Sequence, residues 1–287
     1  MPSIVSIGIA TMDIYINLGR MYPGGNELNI AYDVNEQGGR AGFMGVFADD
    51  TVGQILEDTI ASRGVDVSHS HHEHGSSGYA LVDIVDGDRV FIDWNKQGVT
   101  DLYPFTFTDE EMEYIRSFDI ACISEGARVT PQSIIRLAEH GVNICYDFSD
   151  TFDDELIRNI APYIKVGFFS CSHLTESEAR EVLRSAVGCG CGIAVATRGG
   201  EDSIAWNGTQ FYRQPVCNVE ATDTMGAGDS FISAFLMNYL PLSEGGDKIQ
   251  AAMSSAAEYA ALVVRREGAL GLGYDVDPSR ISEIINI

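Results

Sequence analysis

Short apolar runs alternate along the chain with stretches in which apolar residues recur at three- and four-residue spacing. The apolar runs predict buried strands and the wider spacing predicts amphipathic helices. The predicted strands span residues 3–10, 42–47, 65–67, 120–124, 142–147, 166–170 and 193–197. The predicted helices begin near residue 26 and span 51–62, 108–117, 131–140, 153–163, 175–186, 227–239 and 247–265, with a short one after Pro278. This alternation is typical of an α/β fold with a mostly parallel central sheet and helices on both faces.

A hairpin interrupts this alternation. Residues 79–85 and 89–94 flank Asp86-Gly87-Asp88, and Asp-Gly between alternating runs favours a tight turn. Residues 14–18 also alternate and predict a half-exposed strand. Together they predict a small sheet, formed by about residues 13–20 and 78–95, on a single domain that spans residues 1–287. Alternation alone leaves open whether Arg89 and Asp93 face a cleft or solvent.

The strongest candidate for chemistry is the stretch from Thr222 to Phe235. Gly226-Ala227-Gly228 allows a sharp turn and a close approach to a ligand, and a helical pattern begins at Asp229. Free N–H groups and the positive end of a helix dipole bind anions. An aspartate in such a place can take a proton from a hydroxyl while the N–H groups hold a phosphoryl group. The alternative is a tight turn with Asp229 as a capping residue.

Three other places carry candidate ligand contacts. Asp13 follows the first predicted strand, at the edge where ligands lie in open α/β sheets. Gly24-Gly25 precedes a helix on which Asn26 and Asn29 share one face, although a plain Asn-capped helix explains that pattern too. Thr197-Arg198-Gly199-Gly200 follows a buried strand and suits phosphate and ribose contacts, or a simple turn.

Charge and composition limit the partners. The formal net charge is -24, from 42 acidic and 18 basic residues, which argues against nucleic-acid binding. Such a chain repels anions, so local features such as helix N-termini and Mg²⁺ have to receive a phosphate. No apolar run reaches the roughly 18 residues of a membrane span, and the N-terminus has no signal-peptide pattern. Six scattered cysteines predict reduced thiols. We expect a cytoplasmic protein with no membrane partner.

Four histidines, His69, His71, His72 and His74, crowd one polar stretch. Histidine is a common metal ligand, but this spacing matches no zinc template. The pattern therefore favours a solvated loop whose charge varies with pH.

The run from Asp223 to Asp229, Asp-Thr-Met-Gly-Ala-Gly-Asp, resembles the C-terminal signature of the ribokinase-like (PfkB) carbohydrate kinases, and the likeness extends from Ile4 to about Gly268. The resemblance implies a ribokinase-like fold whose small sheet is a lid. It also implies transfer of the γ-phosphoryl group of ATP to a primary sugar hydroxyl. In that reading Asp229 is the base, and the N–H groups of Ala227, Gly228 and Asp229 receive the transferring charge.

The resemblance also implies roles for the other candidates. The sugar-binding residues would be Asp13, Gly24, Gly25, Asn26, Asn29 and Arg89, with Asp229. Thr197, Gly199, Gly200, Gly226 and Gly228 would line the ATP site. Glu178 matches the Glu of a family Asn-x-x-Glu motif that organises Mg²⁺ through water, but Thr175 replaces the Asn, which puts the details of Mg²⁺ binding in doubt. Asp223 matches a position near a monovalent cation site, so potassium activation is an open expectation.

Several runs look more similar to fructoselysine 6-kinases than to ribokinases, adenosine kinases or 6-phosphofructokinases. They are Gly24-Gly25-Asn26 with Asn29, Asp88-Arg89-Val90-Phe91, Asp147-Phe148-Ser149-Asp150, Ser203-Ile204-Ala205-Trp206 and the run from Asp223 to Phe231. The expected substrate is a fructosamine such as fructoselysine, phosphorylated on its 6-hydroxyl. A positively charged amine suits an acidic chain. Asp83, Asp86, Asp88 and Asp93 of the lid would either pair with that amine or be ordinary solvated residues.

Two alternatives to this substrate remain open: a fructokinase- or ribokinase-type kinase of a free sugar, and a non-catalytic sugar- or nucleotide-binding protein on the same fold. The sequence also predicts a homodimer through an apolar outer face of the lid, because exposed strand edges invite pairing. The residues of that predicted face are Tyr15, Val82, Ile84, Val90 and Ile92.

Overall fold

A computed structural model describes residues 1–85, 88–241 and 248–276, except for the side chains of residues 84, 85 and 88–91. The strands of its larger sheet are β1 Ser3–Gly8, β4 Arg40–Ala48, β5 His71–Glu73, β8 Ile120–Ser124, β9 Ile144–Asp147, β10 Val166–Ser170, β11 Ile193–Arg198, β12 Glu201–Trp206 and β13 Phe211–Gln214. Their order is β13-β12-β11-β10-β9-β8-β1-β4-β5. Neighbours from β11 to β5 are parallel, and β12 and β13 are antiparallel.

A smaller, five-stranded sheet comprises β2 Thr11–Tyr15, β3 Arg20–Gly24, β6 Gly78–Val85, β7 Asp88–Trp94 and β14 Tyr274–Asp275. Its order is β14-β3-β2-β6-β7. The predicted hairpin is confirmed, since β6 and β7 pair antiparallel. Residues 86 and 87 of its turn lie outside the described residues, as do the start of the last predicted long helix at Asp247 and the short helix after Pro278.

The helices are α1 Asn26–Glu36, α2 Thr51–Ala61, α3 Val99–Leu102, α4 Asp109–Arg116, α5 Pro131–Glu139, α6 Asp154–Ile160, α7 Glu176–Gly188, α8 Ala227–Tyr239 and α9 Lys248–Val263. Three short 3-10 helices cover Ile16–Leu18, Glu125–Ala127 and Ala161–Tyr163. None of the helices within the described ranges is long and apolar enough to cross a membrane.

Helices cover both faces of the larger sheet, as the alternation predicted. Successive side chains of a strand point to opposite faces. Accordingly, Ile4 of β1 packs in one core with residues of α1, α2, α8 and α9, whereas Val5 and Ile7 pack in a second core with residues of α4, α5, α6 and α7. Because both of their faces are buried, the parallel strands are near-continuous apolar runs in the sequence.

Three local predictions were wrong. The half-exposed strand at 14–18 is instead the buried strand β2 followed by a 3-10 helix over Ile16–Leu18. The strand at 65–67 is reduced to one isolated bridge between Asp66 and Gly42. The edge strand β5 lies within the predicted histidine loop, because backbone pairing with β4 needs no apolar side chains at a sheet edge.

Candidate active site

The N-terminus of α8 is open. Gly226 precedes the helix with a φ of 74°, in the left-handed region, and a Cβ atom there would lie 2.7 Å from the Cβ of Ala269. Only glycine fits this turn without strain. The first i→i−4 bond of the helix runs from the Ser230 N–H to the Gly226 carbonyl, 2.9 Å, so the N–H groups of Gly228 and Asp229 precede the helical ladder. The Ala227 N–H donates a long bond, 3.3 Å, to the Thr224 carbonyl.

The space beside this helix end is large enough for a ligand group. A Cβ atom built at Gly228 would meet no described atom within 4 Å. Free N–H groups and the helix dipole face that space, which is the arrangement that binds a phosphoryl group.

Asp229 lies in the first turn of α8 and is buried. The Asn29 Nδ2 donates to Asp229 Oδ2 at 2.7 Å, across 200 residues of sequence, because α1 packs against α8. Asn29 itself is 3% exposed, and its Oδ1 has no hydrogen-bond partner among the described residues. A buried amide oxygen without a donor normally needs a ligand or water, so Asn29 can hold Asp229 on one side and accept from a ligand hydroxyl on the other.

Asp13 and Gly24 border the same space. Asp13 is buried in β2, and a Cβ atom at Gly24 would lie 2.7 Å from Asp13 Oδ2 and 3.9 Å from Asn29 Oδ1. Gly25 precedes α1 with a φ of 109°, and its Cβ would lie only 2.5 Å from the Ile9 carbonyl oxygen. The glycine pair therefore lets α1 begin against the end of β1, which brings three polar groups, from Asp13, Asn29 and Asp229, around one space.

Several buried carboxyl groups share this region. Burial, reinforced by the charges of Asp147 and Glu27, holds the pKa of Asp229 well above its usual range, although the hydrogen bond from Asn29 opposes the rise. Burial also raises the pKa of Glu27 to about 7 and that of Asp147 to about 6. A base whose pKa lies closer to neutral accepts a proton more readily.

Glu27 makes the stability of the protein depend on pH. Its carboxylate accepts from the Ile9 N–H at 2.9 Å, where β1 ends. The folded-state pKa of Glu27 is about 7 instead of 4.5. The stabilisation of the fold that comes with protonated Glu27 is therefore fully present below pH 4.5, and it is lost as the pH rises to about 7. We expect this loss to be on the order of 3 kcal/mol.

Glu27→Gln should therefore become more stable relative to wild type as the pH rises. The measurement is denaturant unfolding of both proteins at pH 4.5 and pH 8, where other titrations cancel in the difference. A difference that is the same at both pH values would contradict the raised pKa.

The predicted nucleotide residues lie at the carboxyl end of β11. Thr197 belongs to that strand, its carbonyl accepts from the Cys171 N–H at 2.8 Å, and Gly199 and Gly200 follow it. A Cβ atom at Gly200 would meet no described atom within 4 Å. This edge of the parallel strands is where nucleotides bind in open α/β sheets.

Glu178 has a structural contact that the sequence comparison missed. Thr175 caps α7, and Glu178 Oε2 accepts from both the N–H and the hydroxyl of Thr175, at 2.8 and 2.7 Å. This reciprocal capping box stabilises the helix start and explains why a threonine is useful there. The carboxylate is exposed, and its bonds to Thr175 lower its pKa, so it stays ionised.

Asp223 connects three parts of the chain. Its carboxylate accepts from the Tyr15 hydroxyl at 2.6 Å, the Gly268 N–H at 2.9 Å and the Met225 N–H at 2.9 Å. It therefore ties the small sheet to the turn before α8 and to the loop after α9. The predicted monovalent cation at Asp223 stays a prediction.

One face of the small sheet carries Asp13 toward the site. The register places Tyr15, Ala80 and Val82 on that same face, and Tyr15 and Val82 are buried near Met225. Tyr15 and Val82 therefore cannot form the predicted outer apolar face. The side chains of Ile84 and Val90, also assigned to it, lie outside the described residues, and Ile92 is exposed.

The same register decides the position of two lid acids. Asp93 pairs with Leu81, and Asp83 alternates with Val82, so both lie on the face opposite Asp13. Of the two alternatives that the sequence left open for these acids, the register favours a position away from the cleft. The side chain of Arg89 lies outside the described residues, as do Asp86 and the side chain of Asp88.

Sequence reasoning missed Trp94. It pairs with Ala80, on the face that carries Asp13, and is 56% exposed. An aromatic residue at the end of an alternating strand is the signal that could have suggested Trp94 as a candidate ligand contact.

Three of the four histidines form separate hydrogen bonds with carboxylates. His71 contacts Glu111, His72 contacts Glu57 and His74 contacts Asp49. Each therefore has its own carboxylate, and the part of the chain that the structure describes holds no group of three or more potential metal ligands.

Three features together define a carbohydrate kinase of ribokinase-like fold. They are the sheet covered on both faces, the glycine turn, and the buried aspartate at an open helix N-terminus. The chain belongs to the pfkB family of carbohydrate kinases, whose profile matches residues 1–272. It is 32% identical over 272 residues to the fructosamine kinase FrlD of Bacillus subtilis (strain 168), covering 94% of each chain. It is 33% identical over 273 residues to the fructoselysine 6-kinase of Shigella flexneri, covering 94% of this chain and 100% of the relative.

A solved structure confirms the fold class. The structure of Arabidopsis thaliana ribokinase complexed with ribose and ATP matches with a TM-score of 0.81 at 19% identity, covering 100% of this chain and 99% of that one. The family match and the two relatives confirm the resemblance found in the sequence, both to the family and to its fructosamine kinases.

Proposed function

We propose that this carbohydrate kinase transfers the γ-phosphoryl group of ATP to the 6-hydroxyl of a fructosamine such as fructoselysine. The observation that carries the proposal is the Asn29–Asp229 contact beside the open N-terminus of α8. The names of relatives at 32% and 33% identity over nearly the whole chain support the choice of substrate.

Asp229 acts as the general base. It takes the proton of the 6-hydroxyl while the oxygen forms a bond to the γ-phosphorus, and the bond from that phosphorus to the bridging oxygen of ADP breaks. The N–H groups of Gly228 and Asp229 stabilise the charge on the transferring group. The N–H of Ala227 contributes less, because it already donates to the Thr224 carbonyl. Asn29 orients the carboxylate, and Asp13 and Asn29 hold neighbouring hydroxyl groups.

The residues present fit a nucleotide with Mg²⁺. Gly228 and Gly200 leave open space for phosphate oxygens, and Thr197 can contact the ribose. Mg²⁺ usually keeps several waters and needs only one or two carboxylates besides the phosphates, which suits the exposed and ionised Glu178 acting through water. When bound, Mg²⁺ supplies neutralisation of the phosphate charge. A monovalent cation beside Asp223 is part of the same proposal.

Comparing acceptors tests this function. We expect kcat/KM for fructoselysine to exceed that for free fructose by at least about tenfold, because an acidic protein attracts the charged amine. The measurement is ADP release with both acceptors under identical conditions. A ratio at or below one would leave a kinase of a free sugar, and no ADP release with any sugar would favour a binding protein.

We also propose a homodimer through the small sheet. Ile92 of β7 is 52% exposed, on a strand that ends the sheet order and so offers an unpaired edge. Light scattering at micromolar concentration should give twice the monomer mass, and Ile92→Lys should shift the mass toward the monomer. A wild-type monomer would contradict the dimer.

A further inference from the structure

Asp147 is a buried carboxylate without a cationic partner among the described residues. It ends β9 and is 8% exposed. Its Oδ1 accepts from the Ser149 N–H at 2.9 Å, and its Oδ2 lies 3.4 Å from Asn26 Nδ2, at the outer limit of a hydrogen bond. Within the described residues no Lys, Arg or His side chain forms an ion pair with it. A buried carboxylate without a counter-charge is costly, so its retention calls for a reason.

Asp147 lies one helical turn from the proposed reaction centre. Asn26 contacts Asp147 and Asn29 contacts Asp229, and the two asparagines are three residues apart in the first turn of α1. Side chains with this spacing are neighbours, with about 5–6 Å between their Cβ atoms. The charge of Asp147 also acts more strongly on Asp229 than that of any other carboxylate, which agrees with a short separation.

The space beside Asp229 offers an unused hydrogen-bond acceptor to a ligand. The unpartnered and buried Asn29 Oδ1 borders it, as do Asp13 and Gly24. In a fructosamine the 6-hydroxyl and the amine on C1 lie at opposite ends of the sugar. A sugar whose 6-hydroxyl contacts Asp229 can therefore direct its amine along the first turn of α1, toward Asp147.

The two lid acids whose side chains the structure describes do not supply an alternative. Asp83 and Asp93 lie on the face of the small sheet that points away from Asp13. Asp147, by contrast, stands at the carboxyl end of a central strand of the larger sheet, where ligands bind in open α/β sheets.

We infer that Asp147, held by Asn26 and the turn at Ser149, binds the protonated amine on C1 of the substrate and so selects a fructosamine over free fructose. The inference rests on the proposed function. A charge-assisted hydrogen bond from an ammonium group in a desolvated site is stronger than one between neutral groups. Free fructose has a neutral hydroxyl in place of the amine, so it leaves the buried carboxylate without its counter-charge.

The test compares Asp147→Asn with wild type on two acceptors, 1-amino-1-deoxyfructose and free fructose. The amino sugar is the smallest fructosamine, so it isolates the charge on C1 from any contact with lysine. We expect the preference, which is kcat/KM for the amino sugar divided by kcat/KM for fructose, to fall at least about 30-fold, because any change in the base Asp229 affects both acceptors alike. Asp150→Asn removes the same unit of charge from an exposed neighbour and should retain the wild-type preference.

Folding of the variant is checked by thermal unfolding. Asparagine is a neutral isostere at a site where burial disfavours the charged form, so Asp147→Asn should fold, and Asp147→Ser provides a second neutral variant with the same expected loss of preference. If wild type prefers the amino sugar and the folded neutral variants keep that preference, the role of Asp147 is overturned and the proposed function stands. If wild type does not prefer the amino sugar, the proposed substrate fails, and the inference fails with it.

Discussion

Replacing Asp229 with Asn should lower kcat by about 10³-fold or more, while the KM for ATP stays nearly unchanged. The amide keeps the size of the carboxylate, but it cannot take the proton of the attacking hydroxyl. The Asn29 contact at 2.7 Å shows that the carboxylate is already oriented, so little other than proton transfer is lost. Steady-state ADP release at saturating sugar measures the effect.

Asp33→Asn is the matched control for this variant. Asp33 is also a buried acid with a pKa raised by burial, to about 7, but it bonds to Tyr259 and Arg266 outside the site. Its replacement should lower stability and leave kcat within about fivefold of wild type. Near-normal turnover in Asp229→Asn, or an equal loss in both variants, would remove Asp229 as the base.

Gly228→Leu should abolish most activity without unfolding the protein. Since no described atom lies within 4 Å of a Cβ atom at this position, the new side chain enters the open space at the N-terminus of α8 and not the core. There it occupies the volume that the transferring phosphoryl group needs. We expect kcat/KM for ATP to fall at least about 10²-fold, whereas a helical glycine replaced by leucine gains up to about 1 kcal/mol of stability.

Gly188→Leu is the control that distinguishes the loss of activity from the change in stability. Gly188 ends α7, is exposed, and has equally open space around it. Its replacement should leave activity close to wild type and raise stability by a similar amount, up to about 1 kcal/mol. The two variants are compared by ADP release and denaturant midpoint. Normal activity in Gly228→Leu would show that the phosphoryl group binds elsewhere.

The sequence predicts the fold best where both faces of an element are buried. Strands β8 and β10 begin and end at the predicted residues, and so does α8, because apolar runs and helical spacing mark such elements clearly. Strand β3 was missed, because Pro23-Gly24 looks like a turn, yet its backbone pairs with β2. Strand β5 was missed because backbone pairing alone defines it.

The sequence identified individual residues of the candidate site, but it did not show which of them lie next to each other. Local signatures identified Asp229 and Asn29 separately, but only the packing of α1 on α8 brings their side chains to 2.7 Å. The sequence did not show that the side chains of Asp229 and Glu27 are buried, so their raised pKa values could not be foreseen. Asp147 was noted only as part of a run that suggested kinship, although its place at the end of a predicted parallel strand was a usable signal.

The product of the wild-type reaction tests the central claim most directly. Fructoselysine and ATP are incubated with the protein, and a phosphorus–proton NMR correlation locates the new phosphate. We expect one phosphate per ADP released, coupled to the two protons on C6, and no product with Asp229→Asn over the same time. A phosphate on another carbon, or no phosphorylated fructoselysine at all, would contradict it.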